Sequence, residues 1–160
     1  MIRQLDSGKG SGAAGLGLRI VLAEDNPADV ILLREALKEH GVAAELRWID
    51  DGAEALTYFD TLDLDQPGTA PDAILLDLSL PKVDGEAILK RIRDDQRYHA
   101  VPVAVMSSTD NPRDRERARA LGASFICKPS ALDEFLRIGG VVREMCQLWL
   151  FRQTLYFGCG

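Results

Sequence analysis

Residues 72–85 read Asp72-Ala73-Ile74-Leu75-Leu76-Asp77-Leu78-Ser79-Leu80-Pro81-Lys82-Val83-Asp84-Gly85. Ala73, Ile74, Leu75 and Leu76 follow one another with no polar residue on either alternating face. A strand of that kind is covered on both sides and belongs in the middle of a parallel sheet. It stops on an acid, Asp77. After a short turn Asp84 opens a helix, whose buried face the spacing assigns to Ala87, Ile88 and Ile92.

Outward from this unit the same alternation repeats. Leu18–Ala23 is a short apolar strand. Asn26 then caps a helix with Pro27 at its first position, burying Val30, Leu33 and Leu37 and ending at Gly41. Glu45–Ile49 reads as an edge strand, and Ala55, Leu56, Phe59 and Leu62 mark a second helix. Downstream, Val101–Met106 is the fourth strand. A charge-rich helix follows Asn111-Pro112 and stops at Gly122. Ser124–Cys127 is the fifth strand, and a last helix runs from about Leu132 to about Trp149. Five such strand–helix units predict an α/β fold, a parallel sheet with helices on both faces. Ligands of such sheets bind beyond the carboxyl ends of the strands.

The ends of the chain differ from this core. Residues 1–17 are glycine-rich and offer little that could pack, so they read as a flexible N-terminal leader. Gly10-Ser11-Gly12-Ala13-Ala14-Gly15 matches a dinucleotide fingerprint, but that motif follows a strand and opens a helix, and here the strand comes after it. The 160 residues carry 19 Lys and Arg against 25 Asp and Glu, a net charge of −6. That balance lacks the basic excess of a nucleic-acid-binding face or of a polybasic membrane segment. No apolar run is long enough to span a membrane, and the start has no signal-peptide core. Cys127, Cys146 and Cys159 have no metal spacing and no close pairing, which fits reduced thiols in a cytoplasm.

The residues that end the apolar strands carry the chemistry. The first strand ends in Glu24-Asp25, the third in Asp77, the fourth in Ser107-Ser108-Thr109 and the fifth in Lys128-Pro129. In a parallel sheet all of these project at one rim. Any one of them alone is an ordinary strand-end or cap residue; their joint occurrence in this order is not. Carboxylates crowded together need a cation between them. A set of oxygen ligands suits Mg²⁺, which keeps waters and accepts phosphate oxygens. Such a site beside a lysine can receive a phosphoryl group, with one carboxylate attacking in line. Asp77 is the candidate nucleophile, since it ends the most central strand.

With these segments in place, the chain resembles the receiver domains of two-component response regulators. The resemblance is carried by Val21-Leu22-Ala23-Glu24-Asp25-Asn26-Pro27, by Ile74–Gly85, by Val103-Ala104-Val105-Met106-Ser107-Ser108, and by Leu121–Pro129. It covers roughly residues 18–138, leaving 139–160 as a helix extension and apolar tail. It implies a flavodoxin-like doubly wound sheet of five parallel strands in the order 2-1-3-4-5. It implies Asp77 as phosphoacceptor and Mg²⁺ held by Asp25 directly, Glu24 largely through water, Asp77, and the backbone carbonyl of Ser79. Ser107 would bond the phosphoryl group and Lys128 would pair with it, the Lys128–Pro129 bond being cis. Phe125 stands at the aromatic switch position, with Ser107 as its partner. Ser107 replaces the commoner Thr, and Phe125 replaces the commoner Tyr and so lacks a phenolic hydroxyl.

The resemblance further implies a sensor histidine kinase as phosphoryl donor. Glu24–Val30 and the Phe- and Trp-containing tail are similar to regulators paired with phytochrome-type kinases. Such a chain catalyses only its own phosphotransfer and autodephosphorylation. The expectation is a stand-alone regulator without a DNA-binding output domain. Trp149, Leu150, Phe151, Leu155, Tyr156 and Phe157 crowd several faces of the tail, whereas Leu132, Phe135, Leu136 and Val142 suit simple packing on the core. A homodimer through the C-terminal helix and tail is therefore expected. Three rivals are weaker. Aspartate-nucleophile phosphatases need a second acid two residues after the nucleophile, where Ser79 stands. A flavin site would place phosphate against Glu24-Asp25. A phosphorylation-independent interaction module leaves the full set of acids, Ser107 and Lys128 without a purpose.

Overall fold

The computed structural model describes residues 2–6, 17–66 and 68–157. The strands are β1 (Arg3–Asp6), β2 (Leu18–Ala23), β3 (Ala44–Ile49), β4 (Ala73–Asp77), β5 (Val103–Ser107) and β6 (Ser124–Cys127). The helices are α1 (Pro27–Glu39), α2 (Gly52–Thr61), α3 (Gly85–Asp94), α4 (Pro112–Ala120), α5 (Leu132–Leu136) and α6 (Ile138–Phe157). All strands share one sheet in the order β1-β3-β2-β4-β5-β6. Its five parallel members run β3-β2-β4-β5-β6, which is the expected order 2-1-3-4-5.

The sixth strand corrects the reading of the leader. Residues 3–6 pair antiparallel with β3, from Arg3 opposite Trp48 to Asp6 opposite Glu45. The outer edge of β3 would otherwise leave backbone N–H and C=O groups without strand partners. The glycine-rich stretch at 7–16 lies outside the described residues.

The two faces of the sheet bury separate clusters. Alternation along β4 sends Leu75 to one side and Ile74 and Leu76 to the other. Leu75 joins Ile20, Leu22 and Leu46 beneath α1, α5 and α6, whose contributions include Leu33, Phe135, Val142 and Cys146. Ile74 and Leu76 join Val21, Ile49 and Val105 beneath α2, α3 and α4, with Phe59, Ile88, Ile92 and Tyr98. Central β4 is buried at every position, as its unbroken apolar run requires.

Helix starts follow the sequence signals. The side chains of Asn26, Asp51, Asp84 and Asn111 each accept a backbone N–H from the first turn of their helices. Three details differ from expectation. Ala87 is exposed, and Leu89 is buried beside Ile88 and Ile92. Leu132 is exposed rather than packed on the core. The last helix is broken at Arg137 into α5 and α6. At that break Gly139 presses on α1; a Cβ there would stand 2.0 Å from the carbonyl oxygen of Ala36. The side chains of Trp149, Leu150, Phe151, Leu155, Tyr156 and Phe157, invoked for the tail, lie outside the described residues.

At the rim opposite the strand ends, Arg93 ties two loops together. Its guanidinium donates to the carbonyls of Leu121, Gly122, Tyr98 and Val101.

Candidate functional site

Register brings the strand ends level. Ala23 lies opposite Leu76, Asp77 opposite Met106, and Ser107 opposite Cys127. The next residues out, Glu24 and Lys128, therefore flank Asp77 and Ser107 at one rim. Close helix packing completes the floor: a Cβ at Gly85 would lie 2.2 Å from the backbone oxygen of Asp77. Only glycine lets α3 start that near Asp77.

Lys128 is the hub. Its ammonium donates to Asp77 Oδ2 at 2.5 Å, to Asp29 Oδ2 at 2.8 Å and to Glu24 Oε2 at 3.0 Å. Its side chain is 6% exposed, that of Asp77 5% and that of Glu24 1%. Asp77 Oδ1 also accepts the backbone N–H of Ser79 at 2.7 Å. Burial would lower the pKa of Lys128, but hydrogen bonds to Asp29 and Asp77 and the charge of Glu24 outweigh it and raise it. Glu24 moves up to about 7, chiefly through burial and then through the negative charge of Asp77, against the opposing pull of Lys128. The ammonium stays charged, and one carboxylate is poorly compensated.

The acids that meet are not quite the expected ones. Glu24, Asp29 and Asp77 place oxygens within 4.8 Å of one another. Asp25 is exposed and outside that group. Adjacent residues leaving a strand point to opposite sides, so burying Glu24 turns Asp25 outward. Asp29 lies in the first turn of α1. An acid there reads as a complement to the helix dipole, and only the asparagine cap and Pro27 fix that turn at the pocket.

Ser107 is buried, with its hydroxyl turned to its own loop. Its Oγ accepts the N–H of Thr109 at 3.2 Å and lies 3.3 Å from Thr109 Oγ1. Ser79 is exposed, and its N–H already serves Asp77. Phe125 is partly buried beneath Arg115, whose guanidinium carbon is 5.0 Å from the ring centre. Arg115 is in turn held by Asp110 at 2.5 Å. The Lys128–Pro129 bond is trans, not cis as expected. Proline's tertiary amide leaves only a small energy gap between the isomers, and the ammonium reaches its partners from the trans form.

The donor set fits a divalent cation. Three carboxylates face one ammonium, so negative charge is in excess, and the oxygens are hard ligands of the kind Mg²⁺ and Mn²⁺ take.

The family model described as the response regulator receiver domain matches residues 20–138. The chain belongs to that family. It is 35% identical over 134 residues to the probable methanogenesis regulatory protein FilR2 of Methanothrix harundinacea, covering 82% of this chain and 83% of that one. It is also 35% identical over 137 residues to the response regulator Rcp1 of Synechocystis sp., covering 85% and 91%. Against several transcriptional regulators, among them TrcR of Mycobacterium tuberculosis, it spans about half of their length. Among solved structures, the phosphorylated cyanobacterial phytochrome response regulator RcpA superposes with a TM-score of 0.72 at 35% identity, over 84% of this chain and 94% of that one. A Mn²⁺-bound form of Rcp1 superposes with a TM-score of 0.68 at 29% identity, over 76% and 88%. Receiver domains of this kind work with sensor kinases, and the neighbours include phytochrome-associated regulators. No helix of the described residues is long and apolar enough to cross a membrane.

Removing the hub tests this electrostatic picture. Lys128→Met leaves the carboxylates without their counter-charge and lowers the unfolding free energy by about 3 kcal/mol at neutral pH without metal. Urea denaturation measures it; an unchanged midpoint would show that the acids need no ammonium.

Proposed function

We propose that this receiver takes a phosphoryl group on Asp77 from the phosphohistidine of a sensor kinase, with Mg²⁺ bound at the same rim. The observation that carries this is the buried contact of Lys128 with Asp77. A carboxylate oxygen of Asp77 attacks phosphorus in line; the bond to the donor nitrogen breaks, and its electron pair stays with the imidazole. Lys128 donates to the phosphoryl oxygens while Glu24 and Asp29 retain its other protons. Glu24, Asp77 and the Ser79 carbonyl would hold the metal, joined by Asp25 once its exposed carboxylate turns in from the rim, with Asp29 at hand from α1. When bound, the cation neutralises charge on the transferring oxygens. The chain thus promotes only its own phosphorylation and its later hydrolysis, in which water releases inorganic phosphate from the acyl phosphate.

The switch follows from where Ser107 now points. Turning its hydroxyl to the phosphoryl group gives up both contacts with Thr109, and the loop that carries Asp110 shifts with it. Phe125 then turns inward, changing the surface of α4 and β6. We assign the chain a cytoplasmic role without nucleic-acid or membrane contact, paired with a phytochrome-type kinase. Its acidic balance and its likeness to Rcp1 and RcpA support that assignment.

Acetyl phosphate and Mg²⁺ test the acceptor. Intact mass should show one phosphoryl group on the wild type and none on Asp77→Asn; equal gain by the variant overturns the assignment. The proposed homodimer through α6 and the tail is tested by ending the chain after Leu148, which spares buried Val142 and Cys146. Sedimentation should then find a monomer, and an undiminished dimer contradicts the tail's role.

A further inference from the structure

We infer that Trp48 is a positioning residue for the metal-binding acids, and that strand β1 supports it through Arg3. The inference rests on the metal reading of the pocket given above. Glu24 is the buried acid of that pocket, and its side chain is held by the Asn26 N–H at 3.1 Å and by Lys128. Its backbone is held by β3. The Glu24 N–H donates to the Ile49 carbonyl at 3.0 Å, and the Glu24 carbonyl accepts the indole N–H of Trp48 at 2.7 Å.

The second bond acts on more than Glu24. That carbonyl belongs to the peptide unit joining Glu24 to Asp25. The unit is planar, so fixing its oxygen also fixes the Asp25 N–H and the direction in which the chain leaves the strand. Both acids of the Glu24-Asp25 pair take their bearing from this plane. Indole has a single proton to give and no acceptor role. Trp48 is 8% exposed, so water competes little for it.

Strand β1 reaches the indole from outside the five parallel strands. Arg3 lies opposite Trp48 in the antiparallel register, and its guanidinium carbon stands 5.1 Å from the ring centre. A cation at that distance is attracted to the ring face and limits how the indole can turn. An aromatic placed only for volume has no use for the bond to Glu24, so removing the N–H while keeping a ring separates the two roles.

The test is Mn²⁺ binding by the full chain, with free ion counted by its electron paramagnetic resonance signal well below the thermal midpoint. Trp48→Phe should raise Kd about three- to tenfold, the value of one buried hydrogen bond. Arg3→Met should raise it about twofold. Arg93→Met, which disturbs the opposite rim, should leave Kd unchanged, so lost stability alone does not mimic the effect. A wild-type Kd in folded Trp48→Phe overturns the inference for the hydrogen bond, and a wild-type Kd in Arg3→Met overturns it for β1. If Trp48→Phe does not fold, replacing tryptophan throughout by β-(3-benzothienyl)alanine, with sulfur in place of N–H, decides the same question by the same two outcomes. A wild type that binds no Mn²⁺ overturns the metal reading and this inference together; unchanged binding in the variants beside a wild type that does bind overturns the inference alone.

Discussion

One ammonium among three carboxylates at a buried rim is the constraint on which the site depends. Carboxylates placed this close repel, and burial removes the water that would screen them. Lys128 offsets part of that cost, and in the function proposed above a divalent cation would offset the remainder. The same excess of negative charge that destabilises the metal-free pocket would give it affinity for a cation, and the cation would in turn admit a phosphoryl group. A site with matched charges would be more stable and would recruit neither.

The scaffold exists to hold that arrangement. Parallel register levels the ends of β2, β4, β5 and β6, so residues about a hundred positions apart meet. The apolar run of β4 places Asp77 centrally, with charged neighbours available from both sides. Ser107 and Lys128 sit on adjacent strands and are tied together, since the Lys128 N–H donates to the Ser107 carbonyl at 2.7 Å. Motion of the Ser107 loop is thus linked to the element that carries Phe125. Arg115 stands over that ring and is held at the surface by Asp110.

Much of this was legible in the residues because it rests on local rules. Leu18–Ala23 shows its strand by apolar continuity, and Asn26-Pro27, Asp84 and Asn111-Pro112 show their helix starts by capping. What the sequence hid depends on neighbours distant along the chain. Arg3–Asp6 has one apolar residue and no periodicity; it becomes a strand because β3 offers an edge. Asp29 looks like a helix-dipole acid until Lys128 arrives beside it. Asp25 was expected in the pocket with Glu24, but alternation at a strand end buries only one of the two. Just after the break at Arg137, Gly139 lies close against α1, a contact that no pattern within the helix reveals.

The most direct measurement is a crystal structure grown with Mn²⁺ and beryllofluoride, a phosphoryl mimic that bonds to the acceptor carboxylate. Beryllium should bond to an oxygen of Asp77, with Lys128 within hydrogen-bond reach of a fluoride and Mn²⁺ between Asp77 and the acids leading into α1. Beryllofluoride on another carboxylate, or Lys128 still bound only to the acids with the metal elsewhere, would contradict it.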